Sequence, residues 1–118
     1  MSILVVRPND GEQSGGAIRC RIIEDGSHTE HRLGIIEATV PPSPGGPPQH
    51  LHREHDEIFI VTEGMLRFTS GADSVDVKAG SCVTVLRGRR TPFATPSANL
   101  PNSFARLLLI CMSSISVT

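Results

Sequence analysis

The apolar runs of this chain are short, β-branched and bounded by turn formers, and this punctuation constrains the fold more than any other feature. "AIRCRII", "RLGIIEATV", "EIFIVT", "MLRFTS", "SVDVK", "SCVTVL" and "ARLLLICM" are separated by Gly, Pro, Asp, Asn and Ser. A segment able to carry a helical period never reaches ten residues before a glycine, a proline or a turn cluster interrupts it. About seven strands and no long helix are predicted, which is the pattern of an all-β sandwich or barrel.

At 118 residues the chain has the length of one domain. Folding would bury about two-thirds of its unfolded surface, enough for one core. The loop "PPSPGGPP", residues 41 to 48, reads as a stiff connection inside that domain, because the strands before it would lack a sheet partner alone. Eleven basic residues balance twelve acids for a formal charge of −1, which gives no electrostatic footprint for nucleic acid or an acidic membrane. The apolar run in "MSILVVRPNDGEQ" is too short for a signal peptide or a membrane span, so the expected location is the cytoplasm. Cys20, Cys82 and Cys111 are odd in number, widely spaced and without CxxC pairing, and read as plain buried thiols.

One stretch breaks this ordinary pattern. Residues 50 to 57, "HLHREHDE", hold three histidines and three carboxylates immediately before "IFIVT". Side chains at i and i+2 of a strand point to the same face, roughly 6–7 Å apart. His50 and His52 therefore converge if their strand faces a barrel interior, and neutral imidazole is the commonest protein ligand for transition metals. Glu57 would open the returning strand, with Phe59 and Val61 on its face and Ile58, Ile60 and Thr62 on the other.

His50-x-His52, four residues, Glu57, six residues, Gly64 resembles the first conserved motif of the cupin superfamily, and the proline- and glycine-rich loop before it is similar to that of small single-domain cupins. The resemblance covers about residues 5 to 112 of a single domain spanning 1 to 118. It implies a cupin-type β-barrel, the jelly roll or double-stranded β-helix. It also implies a divalent metal centre (iron, manganese, zinc or nickel) on His50, His52 and Glu57, which would be the catalytic residues as well. The second cupin motif is degraded: Gly80 and Gly88 keep their spacing, but Leu86 stands at the proline position and Thr91 at the position of the last histidine ligand. No histidine follows His55.

Two histidines and a carboxylate still resemble the facial triad of non-haem iron sites. A substitute fourth ligand is sought in His55, His28, His31 or water. Without metal, the same residues would form an acid–base pair.

Other residues suggest a substrate pocket. Phe59, Val61, Phe68, Thr84 and Phe93 are expected around the barrel, whose largely aliphatic interior would suit an apolar or aromatic small molecule better than a sugar. Arg89 and Arg90 in "RGRR" are expected at the rim, where guanidinium forks clamp carboxylates or phosphates. His28 and His31, three apart, would share one face of a helix but take opposite faces of a strand, where only one could point inward, and both read as ordinary surface histidines.

The leading expectation is an enzyme acting on an organic small molecule, with isomerase, cyclase, decarboxylase or dioxygenase chemistry in natural-product metabolism. Its alternative is a non-catalytic small-molecule-binding cupin whose metal site has decayed. Barrels of this kind pair through edge strands, and the apolar ends "MSILVV" and "ARLLLICM" suggest a homodimer.

Overall fold

The short β-branched runs form strands where the sequence predicts them. The computed structural model describes residues 3–14, 19–41, 55–70, 72–86, 93–96 and 104–113. These contain β1 (Glu12–Ser14), β2 (Arg19–Glu24), β3 (Gly34–Val40), β4 (Glu57–Glu63), β5 (Met65–Ser70), β6 (Asp73–Lys78), β7 (Cys82–Val85), β8 (Phe93–Pro96) and β9 (Ala105–Cys111). No helix occurs among the described residues, so none there is long and apolar enough to cross a membrane. The strands β1 and β8 add to the seven that the sequence predicts.

The pairings among these strands are antiparallel, and they build two sheets. One has the order β1-β2-β3-β9-β4-β7 and the other β6-β5-β8. The order is not sequential because β9 inserts between β3 and β4, so the chain's last described strand locks its first half to its second. This is an all-β jelly-roll barrel, as expected.

Register determines which side chains meet. On the inner face of the large sheet, Ile22, Ile36, Leu109, Phe59 and Val83 form one row across five strands, and Cys20, Ala38, Leu107 and Val61 form the next. The small sheet contributes Leu66, Phe68 and Val77 to the same core. Phe59 meets Phe68 edge-to-face across the two sheets, with ring centroids 5.5 Å apart, a geometry that aligns ring edge with ring face.

The passage between sheets is made at Gly64, between β4 and β5. Its φ of 76° lies in the left-handed region, and a Cβ there would come within 2.7 Å of the Phe104 carbonyl oxygen. Glycine meets both demands. The bend is then tied by the Ala79 N–H, which donates to the Gly64 carbonyl at 3.0 Å.

Candidate functional site

Glu57 begins β4, and strand alternation puts it on the face of Phe59 and Val61. Its backbone partners are Val85 on β7 and Cys111 on β9, so it sits in a row running Gly34, Cys111, Glu57, Val85 at one end of the barrel. The Met112 N–H donates to the Asp56 carbonyl at 3.2 Å and carries the β9–β4 ladder past this row. Toward the opposite end of the strand, Gly80 N–H donates to the Val61 carbonyl at 2.8 Å, and Val61 N–H donates to the Ser81 carbonyl at 3.0 Å. The position of Glu57 is therefore fixed from both sides.

Glu57 is only 2 % exposed, a buried charged residue in a core that is otherwise apolar among the described residues. Moving a carboxylate out of water costs several kcal/mol unless a cation or hydrogen-bond donors receive it. Its chemistry on this apolar face fits a site that supplies positive charge. Cys111 is half-buried beside it, with Sγ 3.2 Å from the Ser113 hydroxyl.

Phe59, Val61 and Phe68 are buried core residues, with Phe59 and Val61 on the inner face with Glu57. Thr84 departs from expectation. It is exposed and pairs with Ile58, on the face opposite Glu57, while Val83 and Val85 take the inward positions of β7. Phe93 opens β8, where its backbone pairs with Thr69. His50, His52, Arg89 and Arg90 lie outside the described residues, as does Thr91.

His28 and His31 are surface histidines, as expected, and belong to the turn after β2, where both are exposed. His28 Nδ1 lies 3.0 Å from Glu24 Oε1, while the Gly26 N–H donates to Glu24 Oε2 at 2.8 Å. The Gly26 amide holds the Glu24 carboxyl below the usual glutamate range, with His28 adding to the effect. Asp25 is lowered in the same way by its hydrogen bonds to Ser27. Glu24, Asp25 and His28 bring ligand-type atoms within 4.8 Å of one another, but these carboxylates are already engaged by the turn.

The cysteines are not uniform core thiols: Cys82 is exposed, whereas burial pushes the Cys20 thiol up. The neighbourhood of Cys111 and Glu57 is not legible in the sequence, because it follows from the β4–β9 register between residues far apart in the chain.

A cupin domain family model matches residues 36–101, over half of the chain. The chain belongs to the cupin family. No curated protein matches it. Among solved structures it is similar to the polyketide cyclase RemF of Streptomyces resistomycificus, at 19 % identity and a TM-score of 0.74, covering 99 % of this chain and 88 % of that one. It is also similar to a predicted oxalate decarboxylase from Thermotoga maritima, at 16 % identity and a TM-score of 0.76, covering 93 % and 99 %. A cupin 2 conserved barrel domain protein from Salinispora arenicola aligns at 16 % identity and a TM-score of 0.73, covering 95 % and 91 %. At these identities the likeness establishes the cupin fold.

Proposed function

We propose that this cupin is a cytoplasmic small-molecule enzyme whose centre is His50, His52 and Glu57. The observation that carries the reading is the buried carboxylate of Glu57 on the inner face, between Val85 and Cys111. The first cupin motif supplies His50 and His52 as its partners. These three residues would hold a divalent iron, manganese, zinc or nickel ion, a donor set of imidazole and carboxylate suited to those metals. When bound, the ion supplies Lewis acidity to a substrate oxygen.

The chain's own residues do the rest. Glu57 provides fixed negative charge and a proton acceptor at its carboxylate oxygens. The packed rows of Phe59, Val61, Leu107 and Leu109 exclude water beneath it, which strengthens every electrostatic contact at the centre. Arg89 and Arg90 would bind an anionic group of the substrate at the rim. The cyclase and decarboxylase named among the similar structures suggest a carbonyl-bearing metabolite, and reaction by cyclisation, isomerisation or decarboxylation fits a site that polarises such a group. The protein would work as a homodimer.

Thr91, at the position of the second-motif histidine, favours a second reading, a cupin that binds its small molecule without turning it over. Metal-stripped protein titrated with Fe(II), Mn(II), Zn(II) and Ni(II), followed by a screen of polyketide and dicarboxylate compounds for turnover, separates the two. Metal binding with turnover supports the enzyme. Saturable ligand binding with no product under any metal supports the binding protein.

A further inference from the structure

The degraded second motif leaves the centre one protein ligand short of the set that the resemblance implies. Thr91 stands where the last histidine is expected, and no histidine follows His55. His28 and His31 do not fill the place, because both are exposed in the turn after β2 and His28 Nδ1 is already engaged by Glu24. A donor of another residue type stands on the inner face.

That donor is Cys111. It lies directly opposite Glu57 in the β4–β9 ladder, so both side chains project from the face that carries Phe59 with Leu109 and Val61 with Leu107 in the following rows. Residues opposed in this way have Cβ atoms about 4.5–5.5 Å apart. One ion spans such a gap, with bonds of about 2.0–2.3 Å to carboxylate oxygen and thiolate sulfur. Glu57 is only 2 % exposed, whereas Cys111 is half-buried. The carboxylate is held in the core while the thiol stays within reach of an incoming ion.

The three cysteines are not equivalent. Cys82 pairs with Ile60 on the outer face and is exposed, and Cys20 lies in the inner row of Ala38, Leu107 and Val61, where burial pushes its thiol up. Only Cys111 has a carboxylate as a direct ladder partner. Its sulfur lies 3.2 Å from the Ser113 hydroxyl. That hydroxyl can donate to a thiolate, the kind of outer contact that orients a metal ligand.

We propose that Cys111 is a further ligand of the His50–His52–Glu57 centre, supplying a thiolate in place of the missing second-motif histidine, and that the centre therefore prefers zinc or iron(II) to manganese. The inference rests on the metal reading of that centre and specifies its fourth protein ligand. Coordination forms one metal–sulfur bond and releases the thiol proton to solvent, with no change of oxidation state. Soft thiolate favours zinc and iron, whereas manganese is suited by oxygen ligands.

Titration of the metal-stripped full chain with Co(II), followed by competition with Zn(II) and Mn(II), all under reducing conditions, tests this. Wild type is compared with Cys111→Ala and with the double variant Cys20→Ala, Cys82→Ser, in which Cys111 is the remaining thiol. The expected result is a thiolate-to-cobalt charge-transfer band in the near ultraviolet for wild type and the double variant. In Cys111→Ala the band is lost, the Zn(II) dissociation constant rises at least about tenfold, and Mn(II) affinity changes little. Wild type that binds no Co(II) overturns the His50–His52–Glu57 reading and the Cys111 assignment with it. Bound Co(II) without the band, or a band that survives in Cys111→Ala, overturns the assignment alone and leaves the place to water or His55. If Cys111→Ala does not fold, the double variant decides: bound Co(II) with no band there overturns the assignment.

Discussion

Glu57 and Cys111 are direct partners across the β4–β9 ladder, and this places a carboxylate and a thiol side by side at one end of a barrel whose buried residues are otherwise apolar among those described. Taking a carboxylate this deeply out of water costs several kcal/mol, which its partners at best offset, so Glu57 is a poor net stabiliser. Its retention is better explained by chemistry than by folding. Glu57→Met is therefore expected to equal or exceed the metal-free wild type in thermal stability while losing metal affinity. Calorimetry of both proteins after chelation checks this, and a large drop in melting temperature would make Glu57 a structural residue.

The two turn glycines of this half of the barrel should differ in cost. Gly80 has a φ of 93° and nothing within 4 Å of the point a Cβ would occupy, whereas Gly64 combines its φ of 76° with the close Phe104 carbonyl. Gly80→Ala is expected to lose about 1–2 kcal/mol, from the left-handed backbone alone. Gly64→Ala adds a steric clash with backbone and should lose distinctly more. Urea denaturation of the two variants orders them, and equal losses would contradict the close approach at Gly64.

The turn after β2 should respond to acid. The Gly26 N–H favours the ionised Glu24 carboxylate, so the folded-state pKa is depressed. A depressed carboxylate contributes stability above its unfolded pKa and loses it as pH falls through the lower folded value. In an NMR titration, the Glu24 side chain is expected to protonate below the ordinary glutamate value of 4.5. In Glu24→Gln the acid-dependent shift of the Gly26 amide should vanish; if it persists, another group controls the turn.

Much of the architecture is legible because β-branched runs of five to nine residues announce strands, and the seven expected all form. β1 escapes because "EQS" is short and polar, and β8 because "FATP" ends in proline among turn formers. The inward face of β4 is readable from alternation, which puts Glu57, Phe59 and Val61 together. Thr84 is not, because β7 has only four residues and its inward face is set by pairing with β4. The surface position of His28 and His31 is readable, but the hydrogen-bonded turn that Glu24, Asp25 and Ser27 make there is neither of the regular elements their spacing offers. Long-range register, which brings Cys111 to Glu57 and Ile110 to Ile58, is absent from any local pattern.

The measurement that bears most directly on the His50–His52–Glu57 centre is elemental analysis of protein purified without an affinity tag, wild type against His52→Ala. A near-stoichiometric divalent metal in the wild type, lost in a variant with an unchanged circular dichroism spectrum, is the expected result. Metal absent from both proteins, or retained in full by His52→Ala, would contradict it.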